Sequence, residues 1–202
     1  MNMANICWLS PMEGYHGTCK NCFRWCLYRR AKVFGDNRGW FMETYSEKAF
    51  KDAGIDVTFV QDNHSYSAHK GVLRGLHFQL NPMSQAKLLR VLRGTLLDVV
   101  VDIRKGSPTY KKWISVELSA DNKKEIFMPR GMAHGFVTLT DDVEVHYKVD
   151  NLYAPDKESG IIYNDPDIGV DWGTDKVILS AKDTILPSFK YCTADFKYGE
   201  DK

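Results

Sequence analysis

The sequence predicts an all-β protein, a jelly-roll barrel or sandwich with a few short helices. Three observations carry this. Short runs of β-type residues follow one another between residues 56 and 149. Several of them alternate apolar and polar residues with period two. Clusters of Gly, Pro, Asn and Asp separate them. Strands so short and so closely spaced pack as two sheets, and a jelly roll can enclose a small ligand between its sheets.

Taken in order, residues 1–30 stand apart as an extension rich in Cys, Trp, Tyr and Arg, without clean periodicity. The jelly-roll domain is expected over 31–187, with a tail over 188–202 whose last residues, from Lys197, read as frayed. One helix is expected early. Ser46 can cap Glu47–Ala53, and Gly54 sits where a C-terminal glycine belongs. Strands are then expected at Asp56–Gln61, Gly71–Gln79, Lys87–Leu92, Thr95–Ile103, Trp113–Leu118, Glu125–Met128, Gly135–Thr140 and Val143–Val149. In the last of these Val143, Val145, Tyr147 and Val149 share the apolar face, so Tyr147 should point inward. Leu97, Val99, Val101 and Ile103 share a face of theirs. Period two puts Arg74 and His77 on opposite faces. Both can meet one ligand only if a bulge near Gly75 breaks the register.

The 202 residues are 44% hydrophobic and 26% charged, with net charge +1. Such a balance suits a globular domain and gives no case for nucleic acid or a membrane surface as partner. No apolar stretch is long enough for a membrane span or a signal peptide, so a cytoplasmic protein is expected. Five cysteines, four of them before residue 27, argue for reduced thiols rather than a disulfide scaffold. Cys19, Cys22 and Cys26 with His16 have the spacing of a small metal knuckle, but no second ligand pair follows at finger spacing. A divergent extension is the better reading.

No Rossmann, P-loop or nucleophile-elbow motif occurs. Two segments stand out, Arg74-Gly75-Leu76-His77-Phe78-Gln79 and Pro129-Arg130-Gly131-Met132-Ala133-His134. The second has the P-x-G-x-x-H pattern of a cupin. A metal cupin also needs H-x-H and a Glu, and here the place reads His77-Phe78-Gln79. Two lone histidines are too few for a divalent metal. A cupin-like barrel that does organic acid–base chemistry is the reading left. Moving a proton next to a ketone needs a base, a cation for the enolate oxygen and an acid on the other face. His77, Lys87 and Tyr147 are candidates for those roles, while His64 and His69, in a polar loop, and His146, on a polar face, are set aside.

From about Ala31 to Pro187 the chain resembles the dTDP-4-dehydrorhamnose 3,5-epimerase family. The matching text includes Lys32–Gly39 (KVFGDNRG), Phe59–Ser65, Gly71–Gln79, Val101–Lys105, Ala133–Phe136, Asn164–Pro166 and Leu179–Asp183. The resemblance implies that His77 is the general base, Asp183 the carboxylate that orients it, Tyr147 the proton donor on the opposite face and Lys87 the cation near the C4 oxygen. It implies substrate-holding roles for Arg38, Glu43, Gln61, Asn63, Arg74, His134, Glu158 and Lys182, and thymine stacking for Tyr153. It implies a dTDP-sugar substrate, no metal, no nicotinamide, and a homodimer with crossed N-terminal strands. The reaction implied is epimerisation at C3 and C5 of dTDP-4-dehydro-6-deoxy-D-glucose to dTDP-4-dehydro-L-rhamnose, in dTDP-L-rhamnose biosynthesis. The nearest rival inverts one carbon only. A metal cupin and a non-catalytic binding module are the rivals from other classes. Leu152 departs from the family, which often has a second aromatic residue beside Tyr153.

Overall fold

The computed structural model describes residues 27–200. The cysteine-rich stretch read as a metal knuckle lies outside the described residues. Among the described residues twelve strands run β1 (Leu27–Arg30), β2 (Val33–Asp36), β3 (Gly39–Met42), β4 (Gln61–Ser67), β5 (Leu73–Gln79), β6 (Lys87–Arg93), β7 (Thr95–Asp102), β8 (Trp113–Ser119), β9 (Lys124–Met128), β10 (Met132–Thr138), β11 (Val143–Val149) and β12 (Glu158–Gly160). They form a five-stranded sheet of order β1-β9-β6-β11-β4, a second of order β12-β5-β10-β7-β8, and a β2–β3 hairpin. All the strand pairs are antiparallel. This is the jelly roll that the alternation predicts.

Three apolar layers hold it. Between the sheets, Leu89, Val91, Ile126 and Val145 of the first meet Leu96, Val100, Leu118 and Phe136 of the second. Helix α1 (Glu47–Asp52) covers the outer face of the first sheet, setting Phe50 and Ile55 on Leu88 and Phe127. Ser46 caps it as expected, accepting from Ala49 N–H at 3.4 Å. The chain from Ile161 to Phe196 covers the outer face of the second sheet, where it meets Leu97, Val99, Val101 and Ile103. The central strands β7 and β10 of that sheet are therefore buried on both faces, and β7 reads as a nearly continuous apolar run rather than an alternating one.

Two expected strands change. The strand expected from Gly135 begins at Met132, and every one of its residues is buried. The strand expected over 56–61 is absent. Ile55, Val57 and Phe59 are apolar because they pack under α1, not because they join a ladder. The strand there is β4, all polar or aromatic in sequence, which includes His64 of the supposed loop. The tail is not frayed at Lys197. Lys105 N–H donates to Phe196 O at 2.9 Å, and Tyr198 N–H to Lys105 O at 3.0 Å. Phe196 is 1% exposed and edge-on to Phe78. Burial of that ring contributes about 2–3 kcal/mol.

A bulge does break the register of β5. His77 lies opposite His134 while Arg74 lies opposite Phe136, so the β5 side carries one extra residue. Leu73, Leu76 and Phe78 go to the outer layer, and Arg74 and His77 both turn inward. Gly75 makes this possible. Its φ is +131°, and a Cβ there would stand 2.5 Å from Gly135 Cα. Gly75→Ala combines a disfavoured backbone with a clash against backbone. It is expected to lower unfolding free energy by about 2–4 kcal/mol, measured by urea denaturation.

Candidate active site

The inner face of β5 and the facing strands of the first sheet enclose a cleft. Its inner chamber, about 90 Å³, is lined by Ser65, Arg74, His77, Lys87, Leu89, His134, Phe136 and Tyr147. An outer chamber of about 270 Å³ adds Gln61, Asn63, Phe78, Gln79, Gln85, Tyr153 and Glu158. His77, Lys87 and Tyr147 line both. They come from β5, β6 and β11, so rigid sheet positions hold them on both sides of the cleft.

His77 is paired. Its Nε2 lies 2.5 Å from Asp183 Oδ1. Asp183 is buried, and its Oδ2 accepts from the Ser180 hydroxyl at 2.7 Å. Burial works to raise the Asp183 carboxyl. The His77 and Ser180 hydrogen bonds, the His77 charge and the Gly75 N–H outweigh it and hold the group below its usual range. Asp183 is thus a carboxylate, His77 donates Nε2–H to it, and Nδ1 keeps its lone pair.

Lys87 shows the opposite balance. Burial pushes its amine down to about 8, against the charges of Asp98 and Glu158, which draw it up. The Tyr147 hydroxyl is pushed up, by burial first and then by Glu158 and Tyr153, against Arg74. It keeps its proton at neutral pH and has one to give.

The mouth is a polar network. Glu158 Oε2 accepts from Lys182 Nζ at 2.5 Å and from the Tyr153 hydroxyl at 2.8 Å. Tyr153 N–H donates to Gln61 Oε1 at 3.0 Å, and Gln61 Nε2 donates to Asn63 at 2.8 Å. Arg74 donates to Tyr66 O at 3.0 Å and Ser67 Oγ at 3.3 Å. Deeper in, His134 donates from Nε2 to Asp98 Oδ2 at 2.8 Å.

Eleven of the thirteen residues singled out from sequence therefore line the cleft or bind a residue that does. Arg38 and Glu43 do not. Arg38 sits on the turn of the β2–β3 hairpin, with its side chain 85% exposed and paired with Asp36. The Glu43 carbonyl accepts from Arg29 at 2.5 Å. Sequence reading passed over Ser65, Leu89, Phe136, Gln79, Gln85 and Asp98. Gln79 donates to Leu152 O at 3.1 Å and accepts from Ala154 N–H at 2.8 Å, which fixes the loop that carries Tyr153. Its place closing the Arg74–Gln79 block was the available signal. Ser65 was hidden in a strand without hydrophobic pattern.

A histidine, His77, half-buried against the buried Asp183, an enclosed lysine and a half-buried tyrosine around one cleft make a site for moving protons beside a carbonyl. Comparison with known proteins agrees. The family model described as dTDP-4-dehydrorhamnose 3,5-epimerase matches residues 24–191. The dTDP-4-dehydrorhamnose 3,5-epimerase of Shigella flexneri is 50% identical over 166 residues, 82% of this chain and 90% of that one. The structure of the Bacillus anthracis enzyme of that name, with TDP and PPi bound, superposes with TM-score 0.83 at 45% identity, over 86% of this chain and 99% of the other. A Legionella pneumophila dTDP-6-deoxy-D-glucose-3,5-epimerase in complex with dTDP-4-keto-L-rhamnose gives TM-score 0.79 at 42% identity, over 82% and 88%. With the cleft, the fold and these likenesses in agreement, the chain belongs to the dTDP-4-dehydrorhamnose 3,5-epimerase family.

Proposed function

We propose that this protein epimerises C3 and C5 of dTDP-4-dehydro-6-deoxy-D-glucose to give dTDP-4-dehydro-L-rhamnose, a step of dTDP-L-rhamnose biosynthesis. The observation that carries the reading is His77 on one sheet, paired with Asp183 of the C-terminal covering segment, facing Tyr147 and Lys87 on the other sheet across one cleft. His77 Nδ1 takes the proton from the carbon next to the C4 ketone. The C–H electron pair becomes the enolate double bond, and the carbonyl pair goes to the C4 oxygen. The Lys87 ammonium stabilises that oxyanion. Tyr147 gives its proton to the opposite face at C5, and both side chains re-equilibrate with water. Asp183 holds the tautomer and stabilises the imidazolium.

Tyr153, Glu158, Lys182, Gln61 and Asn63 hold the nucleotide end at the mouth, with Tyr153 stacked on thymine. Arg74 and His134 hold the sugar diphosphate side. The protein acts in the cytoplasm as a homodimer. Exposed apolar rings on the hairpin support the dimer: Phe34 is 54%, Trp40 58% and Phe41 69% exposed. On this reading Arg38, which does not line the cleft of its own chain, meets the substrate bound to a second copy. Light scattering is expected to give twice the 23.1 kDa chain mass. A single-chain mass would sink the dimer.

Tyr147→Phe tests the reaction. In deuterium oxide the wild type should incorporate solvent deuterium at both carbons and invert both. The variant should still exchange but lose C5 inversion by roughly 10²-fold or more. Normal turnover by the variant would show that another group is the acid. Exchange at one carbon by the wild type would favour the single-position rival.

A further inference from the structure

Asp98 has no part in the chemistry just described, yet it is the most enclosed charge beside the cleft. It lies on β7 in a run of Leu and Val, and it is 0% exposed. A site needing only packing would carry another aliphatic residue. Its Oδ2 accepts from His134 Nε2–H at 2.8 Å, and its Oδ1 has no hydrogen-bond partner among the described residues. A buried carboxylate with one hydrogen bond is costly unless charge nearby offsets it. Lys87, which shares the inner chamber with His134, is the cation placed to do so.

We infer that Asp98 is a positioning residue for the epimerisation: it holds His134 with Nε2 protonated and keeps Lys87 cationic, so that the closed end of the cleft stays positive where enolate charge develops. The inference rests on the proposed role of Lys87. The groups facing Lys87 are Asp98 from β7, His134 from β10, Arg74 and His77 from β5, Tyr147 from β11 and Glu158 from β12. Glu158 is already engaged by Lys182 and Tyr153 at the mouth, so Asp98 is the inner counter-charge. Without it, Lys87 would face Arg74 with no counter-charge at the closed end, and Lys87 would shed its proton.

The test compares the full chain with Asp98→Asn, which keeps the shape and removes the charge. Lysine side-chain ¹³C NMR without substrate reads the titration of Lys87. The midpoint is expected to fall by about one pH unit or more in the variant. The alkaline limb of kcat/KM should move down with it, and kcat should drop about tenfold or more while KM changes little. An unmoved Lys87 midpoint would overturn the inference. If the variant does not fold, histidine ¹⁵N spectra of the wild type decide. Protonated Nε2 on His134 supports the inference, and unprotonated Nε2 overturns it. A shifted midpoint with no epimerisation by the wild type would sink the proposed reaction and leave the electrostatic role of Asp98 standing.

Discussion

His77→Ala is expected to abolish exchange of the substrate's ring protons with solvent, by roughly 10³-fold or more, while dTDP binding is kept. The reason is geometric. His77, which lines the cleft, donates Nε2–H to Asp183 at 2.5 Å, so Nδ1 is the nitrogen left to take a proton. Asp183 and Glu158 are occupied by their own partners and held low, which makes them poor bases. Loss of the imidazole leaves water to take the proton. Solvent exchange read by NMR and dTDP affinity read by calorimetry separate the two effects. Exchange within tenfold of wild type would place the base elsewhere.

Lys87→Met is expected to move activity and stability in opposite directions. Removal of the ammonium from the enolate oxygen should cost about 10²–10³-fold in kcat. Removal of a buried charge should raise stability. Burial pushes the Lys87 amine down to about 8 from 10.5 for a free lysine, so the folded state binds its proton less well than the unfolded chain. Below pH 8 the fold therefore carries a charge that unfolding would relieve. From pH 8 to 10.5 the wild type regains stability, because the fold has given up that proton while the unfolded chain still holds it. The variant should be more stable by about 1–3 kcal/mol below pH 8, with the gain fading above it. Denaturant titrations at pH 7 and pH 10 measure this. The wild type should also lose kcat/KM as pH rises through about 8, where Lys87 turns neutral. A variant that is less stable at both pH values would contradict the buried-charge account.

Some of this site could be read from the chain alone, and the reasons differ by residue. Tyr147 was legible because β11 is covered on one face only beside the cleft, and its alternation survives. The need for a bulge was legible in Arg74-Gly75-Leu76-His77, where two polar residues with one destination stand at an odd spacing. The bulge's location was confirmed by the register of His77 and Arg74 against β10. Strand β4 was not legible, because Gln61, Asn63 and Ser65 point into a polar cleft and leave no apolar face to count. The pairing of His77 with Asp183 spans 106 residues, and that of His134 with Asp98 spans 36. Only the fold brings such partners together. Asp98 in particular reads in sequence as an interruption of an apolar run, and it takes the sheet to show that it points at a histidine. The family resemblance supplied roles for thirteen residues. It could not show that Arg38 lies outside its own cleft.

The account's central claim is proton abstraction and return on both sides of the C4 ketone by this one cleft. Proton NMR of the purified full chain with dTDP-4-dehydro-6-deoxy-D-glucose in deuterium oxide tests it most directly. Loss of both the C3 and C5 proton signals, with appearance of the L-rhamno 4-keto product, is the result predicted. Persistence of both signals over hours at micromolar protein would contradict it.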